Sequence, residues 1–130
     1  MIIYEKFIKR QMLKDNPYIL FVFGDNFQEI GYGGQAKEMR NEPNAVGIFT
    51  KRFPSMNENA FLTDDDYGEW AIKVRPKICR LLEHVYDNGV IVLPKDGIGT
   101  GLAQLETRAP KIFQKIRKFE SRLNEYCKTL

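Results

Sequence analysis

Three segments of the chain combine glycine with residues that could hold or transform an anion. The first is Gly24-Asp25-Asn26, followed by Gly31-Tyr32-Gly33-Gly34-Gln35. The second is Thr50-Lys51-Arg52, and the third is Lys95-Asp96 with Gly97-Ile98-Gly99-Thr100-Gly101-Leu102. Glycine lacks a Cβ, so its backbone can take positive φ and approach a ligand closely. Consecutive N–H groups in such a turn form a concave anion nest, and a helix that follows adds its positive end. The plainer alternative is that tight strand-to-helix turns use glycine for local reasons. Likewise Lys51 reads equally as a solvated base at a strand end, and Asp25 or Asp96 as turn formers.

The elements around these segments decide whether they can meet. Ile2–Tyr4 reads as a short edge strand, and Lys6–Lys14 as a helix ended by Asn16-Pro17. Three apolar runs follow: Tyr18–Phe23, Ala45–Thr50 and Val90–Leu93. Continuous apolar runs suit strands covered on both faces, as in a parallel sheet. Gln35–Arg40 reads as a short helix, and Lys51–Phe61 as a long loop. Thr63 reads as an N-cap with Asp64-Asp65-Asp66 complementing the positive helix end. The helix that follows carries Tyr67, Trp70, Ala71, Val74, Ile78, Leu81, Leu82 and Val85 on one face, with a kink or split expected at Pro76. A last helix from about Ala109 places Ile112, Phe113, Ile116, Phe119, Leu123 and Tyr126 at helical spacing. Strands alternating with helices mean a single α/β domain over residues 1–130, with a mostly parallel sheet flanked by helices. In open sheets of this kind ligands bind beyond the carboxyl ends of the strands, where all three glycine or polar segments should emerge.

Bulk properties narrow the function classes. At 130 residues, 43% hydrophobic and 28% charged, the chain has the composition of a folded domain with its own core. A net charge of +3, with no long basic run, does not by itself imply nucleic-acid binding. One histidine, His84, and two separated cysteines, Cys79 and Cys127, make a zinc site improbable, and no metal or cofactor is expected. No apolar stretch reaches the ~18 residues of a membrane span, and a cytoplasmic monomer is expected. The loops match neither the GxGxxG nor the GxxxxGK[ST] fingerprint, which disfavours a dinucleotide-binding dehydrogenase or a P-loop enzyme. Tyr32 and Phe53 could stack on a base or ribose.

Residues 18 to 120 resemble the macrodomains, which bind ADP-ribose and its derivatives. The likeness lies in Asn26-Phe27-Gln28-Glu29-Ile30-Gly31-Tyr32-Gly33-Gly34 after an early strand, and in Leu93-Pro94-Lys95-Asp96-Gly97-Ile98-Gly99-Thr100-Gly101-Leu102 after a later one. It is closest to the compact subgroup that removes ADP-ribose from modified carboxylates or DNA bases, whose middle strand ends in Thr-Lys, as Ile48-Phe49-Thr50-Lys51 does here. The resemblance implies a three-layer macrodomain-like fold. It implies that Asn26 binds the distal ribose, that Gly33 and Gly34 line the phosphates, and that Gly99, Thr100 and Gly101 wrap the diphosphate. Lys51 matches a lysine that acts as nucleophile in some of these hydrolases. Those enzymes carry an Asp just after the Gly-Leu of the second loop. Ala103 stands there in this chain, with Asp96 or Asp25 as substitute carboxylates. The implied ligand is an ADP-ribose-like molecule or an ADP-ribosylated macromolecule, nucleic acid entering only as a modified substrate. The activity is either hydrolysis of such an adduct or of an ADP-ribose phosphate, or capture without turnover.

Overall fold

A computed structural model describes the backbone of residues 1–129 and the side chains of residues 1–125. Four strands, β1 (Ile2–Glu5), β2 (Leu20–Asn26), β3 (Ala45–Lys51) and β4 (Ile91–Pro94), form one sheet in the order β1-β4-β2-β3. Every pairing is parallel. Five helices connect and follow them: α1 (Arg10–Asp15), α2 (Ala36–Met39), α3 (Tyr67–Tyr86), α4 (Leu105–Arg108) and α5 (Pro110–Thr129).

The sheet is covered on both faces, which explains its unbroken apolar runs. Side chains alternate along β2, so Leu20 and Val22 pack with Trp70, Val74 and Leu81 of α3 and with Ile112 and Ile116 of α5. Phe21 and Phe23 point the other way, onto Leu13 of α1 and Ala36 and Met39 of α2. The result is a three-layer α/β fold: α1 and α2 on one face, the sheet, and α3 and α5 on the other.

Several boundaries differ from the sequence expectation. The helix expected from Lys6 starts only at Arg10, because Ile8 is drawn into the core beneath the preceding turn. β2 does not stop at Gly24. Its ladder with β3 continues to Asn26, with a register shift at Asp25/Asn26. Residues 64–66 form a 3₁₀ turn before α3, closed by Asp66 accepting from the Thr63 N–H at 2.8 Å. α3 runs through Pro76 without splitting. The missing N–H there orphans only the carbonyl of Ile72, a residue exposed to water. Leu82, expected in the core, sits on the flank of the buried stripe and is 42% exposed. The side chains of Tyr126 and Cys127 lie outside the described residues.

Candidate ligand crevice between two glycine loops

β2 and β4 are neighbours in the sheet, yet the chain leaves them toward opposite faces. The loop after β2 leads to α2, on the α1 side, whereas the loop after β4 leads to α4 and α5, on the α3 side. Such a divergence is the topological switch point at which open α/β sheets leave a crevice. The two glycine loops follow these two strands at that edge. The segment after β1, Lys6–Lys9, emerges at the same edge beside β4, where the Lys95 N–H donates to the Glu5 carbonyl at 3.0 Å. Sequence reasoning missed this segment: reading Ile2–Tyr4 as an edge strand could not say which strand it would join. It carries the exposed ring of Phe7.

The first loop is held from below. Asp25 and Arg40 form a buried ion pair, their side chains only 3% and 9% exposed, with guanidinium–carboxylate distances of 2.5 and 3.1 Å. The same guanidinium donates from Nε to the Gly31 carbonyl at 2.7 Å and from Nη2 to the Ile30 carbonyl at 3.1 Å. Asp25 is thus engaged beneath the loop. Nothing local in the sequence points to Arg40, although an aspartate ending an apolar strand signals a buried charge that must find a partner. Asn26 closes the loop's first turn, its Oδ1 accepting from the Gln28 N–H at 3.0 Å and its Nδ2 donating to the Ile30 carbonyl at 2.8 Å.

Beyond these anchors the loop opens to solvent. Tyr32, Gly33 and Gly34 are exposed, and the N–H groups of Gly31 to Gly34 donate to no acceptor among the described residues. The Tyr32 hydroxyl accepts from Asn41 at 3.1 Å. Gln35 precedes α2, and its Oε1 is buried without a hydrogen-bond partner among the described residues. The expected helix is present but spans only four residues, so it supplies no appreciable dipole to the nest.

The second loop is held from α5. Arg117 bonds Glu120 at 2.9 Å and the Ile98 carbonyl at 3.0 Å, and the Ile98 N–H donates to Glu120 at 3.4 Å. Burial raises the Glu120 pKa, outweighing the opposing pull of Arg117. The Ile98 side chain is in the core, so Ile98 anchors the loop. Gly97 turns back on Pro94, and Gly99 accepts from the Leu105 N–H at 3.1 Å. Thr100, Gly101 and Leu102 form the exposed tip, where the Thr100 hydroxyl donates to the Gly97 carbonyl at 3.2 Å. Lys95 and Asp96 are exposed, and Asp96 has no ion-pair or hydrogen-bond partner among the described residues.

The middle segment lies one strand away, on β3 at the sheet edge. Thr50 is buried and its hydroxyl donates to the Asp25 carbonyl at 3.3 Å, tying β3 to β2. The Lys51 amine turns into its own loop, bonding the Ser55 carbonyl and standing 4.8 Å from the centre of the Phe61 ring. Burial lowers its pKa. Arg52 pairs with Asp66 at 2.5 Å. Thus the two glycine loops follow adjacent strands, with Asp96 in the second, while the Lys51 segment lies against the first: the Phe27 N–H donates to the Lys51 carbonyl at 3.0 Å, and a Cβ at Gly31 would come within 3.1 Å of Pro54.

Two hollows lie outside this crevice. One, of about 410 Å³, is at the opposite end of the sheet, lined by Tyr18, Asn44, Arg80, His84 and Gly89. It has no strand carboxyl ends or glycine nest, and Arg80 there already donates to the Pro43 carbonyl at 2.7 Å. The other, of about 200 Å³, lies beside Asp25 and Arg40 on the β3 side. No group of three or more metal-binding side chains occurs among the described residues. None of the described helices is long and apolar enough to cross a membrane.

Fold and loops together define an open, parallel α/β protein with two glycine-rich loops at the carboxyl ends of adjacent strands. The chain belongs to a family of unknown function, DUF7831, whose family model matches residues 3–119, from β1 into α5. No curated protein and no solved structure shows significant similarity to it.

Proposed function

We propose that the crevice between β2 and β4 binds a phosphate-bearing nucleotide of the ADP-ribose class. The observation that carries this reading is the departure of two glycine-rich loops, from adjacent parallel strands, to opposite faces of the sheet. Exposed N–H groups at Gly31 to Gly34 supply donors for phosphate oxygens. Lys95 and Lys6 add positive charge at the rim, while Tyr32 and Phe7 offer ring faces to a base or ribose. The likeness of both loops to macrodomain loops narrows the anion to ADP-ribose or an adduct of it. A cytoplasmic setting belongs to the same reading, in keeping with the free, exposed Cys79.

Binding is better supported than hydrolysis. Lys51 is engaged by its own loop, and Asn26 is occupied in closing a turn. Hydrolysis stands as a second reading on one observation: Asp96 presents an exposed carboxylate, without a partner among the described residues, on the second glycine loop. Calorimetric titration with ADP-ribose and ADP-ribose 1″-phosphate, followed by chromatography of the mixtures, separates the two. Binding without turnover identifies a capture module, and turnover lost in Asp96→Asn identifies a hydrolase. Failure of both ligands to bind contradicts the ADP-ribose assignment.

A further inference from the structure

α3 buries one face against the sheet and carries three large, exposed apolar side chains outside it. Trp70, Val74, Leu81 and Val85 are buried against the sheet. On the outward side, positions 72, 75, 79, 82 and 86 recur at alternating steps of three and four, the spacing of a helix-pairing seam. Three of them are large apolar side chains turned to solvent: Ile72 is 72% exposed, Leu82 42% and Tyr86 70%. Cys79, at the centre of the row, is also exposed. Large apolar side chains aligned on the outside of a helix are normally covered.

The pattern around Cys79 selects the occupant. Ile72 and Tyr86 stand seven residues to either side of it, Arg75 and Glu83 four, and Pro76 and Leu82 three. If two copies of α3 lie antiparallel with Cys79 on the twofold axis, Ile72 meets Tyr86 of the other copy, Pro76 meets Leu82, and Arg75 meets Glu83. Apolar thus meets apolar, and cation meets anion, at every pair. Arg75 and Glu83 are exposed, and neither has an ion-pair partner among the described residues. A parallel pairing would instead set Arg75 against Arg75 and Glu83 against Glu83, which is repulsive. We propose that the chain forms an isologous dimer through this face of α3, in place of the monomer expected from the sequence. The seam covers about 20 Å of helix. A single helix face lies at the small end of specific interfaces, so association in the micromolar range is expected. As the crossover between parallel strands, α3 runs antiparallel to them, so the pairing points the two crevices in opposite directions and leaves both open.

Sedimentation equilibrium over a rising protein concentration, with a short bismaleimide cross-linker applied in a Cys127→Ser background, tests the proposal. The expected result is a reversible dimer that cross-links through Cys79. Ile72→Glu should abolish it while leaving the melting temperature of the monomer in place, since Ile72 contributes to no buried cluster. Arg75→Glu and Glu83→Arg should each weaken association at least tenfold, and the two changes together should restore it. A chain that stays monomeric at hundreds of micromolar overturns the proposal. So does a dimer that Ile72→Glu leaves intact, or a charge exchange that fails to rescue. Capture of a different protein's helix by a monomeric chain would also overturn it.

Discussion

The two glycine loops leave the same edge of the sheet but are built differently. The first is clamped by a buried aspartate–arginine pair whose guanidinium also holds two loop carbonyls, and its Gly31 lies against Pro54 while Gly33 and Gly34 face open space. The second is clamped by a more exposed pair, Arg117–Glu120, with side chains 33% and 11% exposed, and by Ile98 plugged into the core. Its glycines are largely explained by the fold. Gly99 has φ +87°, and a Cβ there would come within 2.7 Å of Leu105. Gly33 has no positive φ, and a Cβ on it would meet nothing within 4 Å. Nothing in the fold requires a glycine at position 33, which is what close approach of a ligand would require. The contrast is that Gly99 in the second loop answers to packing, whereas Gly33 in the first does not.

The largest effect should come from the clamps. Arg40→Met strands the buried Asp25 carboxylate and frees the Ile30 and Gly31 carbonyls, and should cost about 3–5 kcal/mol in denaturant unfolding. Arg117→Met should cost only about 1 kcal/mol, because its pair is partly screened by water. Equal losses would erase the distinction between the two clamps.

The glycines sharpen the comparison at smaller energies. Gly99→Ala should destabilise the chain by about 1–3 kcal/mol through backbone strain and its clash with Leu105. Gly33→Ala should change stability by less than about 0.5 kcal/mol and yet weaken ADP-ribose binding measurably by calorimetry. If Gly33→Ala binds like the parent chain, the first loop does not contact the ligand.

The smallest effect is a pH dependence confined to the second clamp. Burial holds the Glu120 pKa above its ordinary value, so the folded state takes up the proton more readily than the unfolded one. That contribution is therefore complete below the usual carboxylate range and is lost as pH rises through the raised pKa. Thermal melts of the parent chain and Glu120→Gln should diverge across that window, the parent losing stability relative to the variant as pH rises. Parallel curves would show that Arg117 cancels the effect of burial.

Much of the layered architecture is legible in sequence because β2, β3 and β4 are covered on both faces and carry uninterrupted apolar runs. The convergence of the glycine segments on one sheet edge followed from that. Strand order did not, since nothing local tells Ile2–Glu5 to pair with β4, and so the place of Lys6–Lys9 beside β4 was hidden. Arg40 and Glu120 escaped notice for a related reason: each meets its loop only through tertiary packing, 9 residues from Gly31 in one case and 22 from Ile98 in the other. The reverse failure is Lys51. Its position at a strand end is visible in the sequence, but the turn of its amine toward Ser55 is fixed by a loop whose path has no periodic signal.

The most direct test of the crevice is an amide-resolved NMR titration of the isotopically labelled chain with ADP-ribose. Shifts should concentrate at Gly31 to Gly34 and at Lys95 to Gly101, with Arg80, His84 and Gly89 unmoved. Shifts centred on Arg80, His84 and Gly89, or no shifts at either glycine loop, would contradict the crevice assignment.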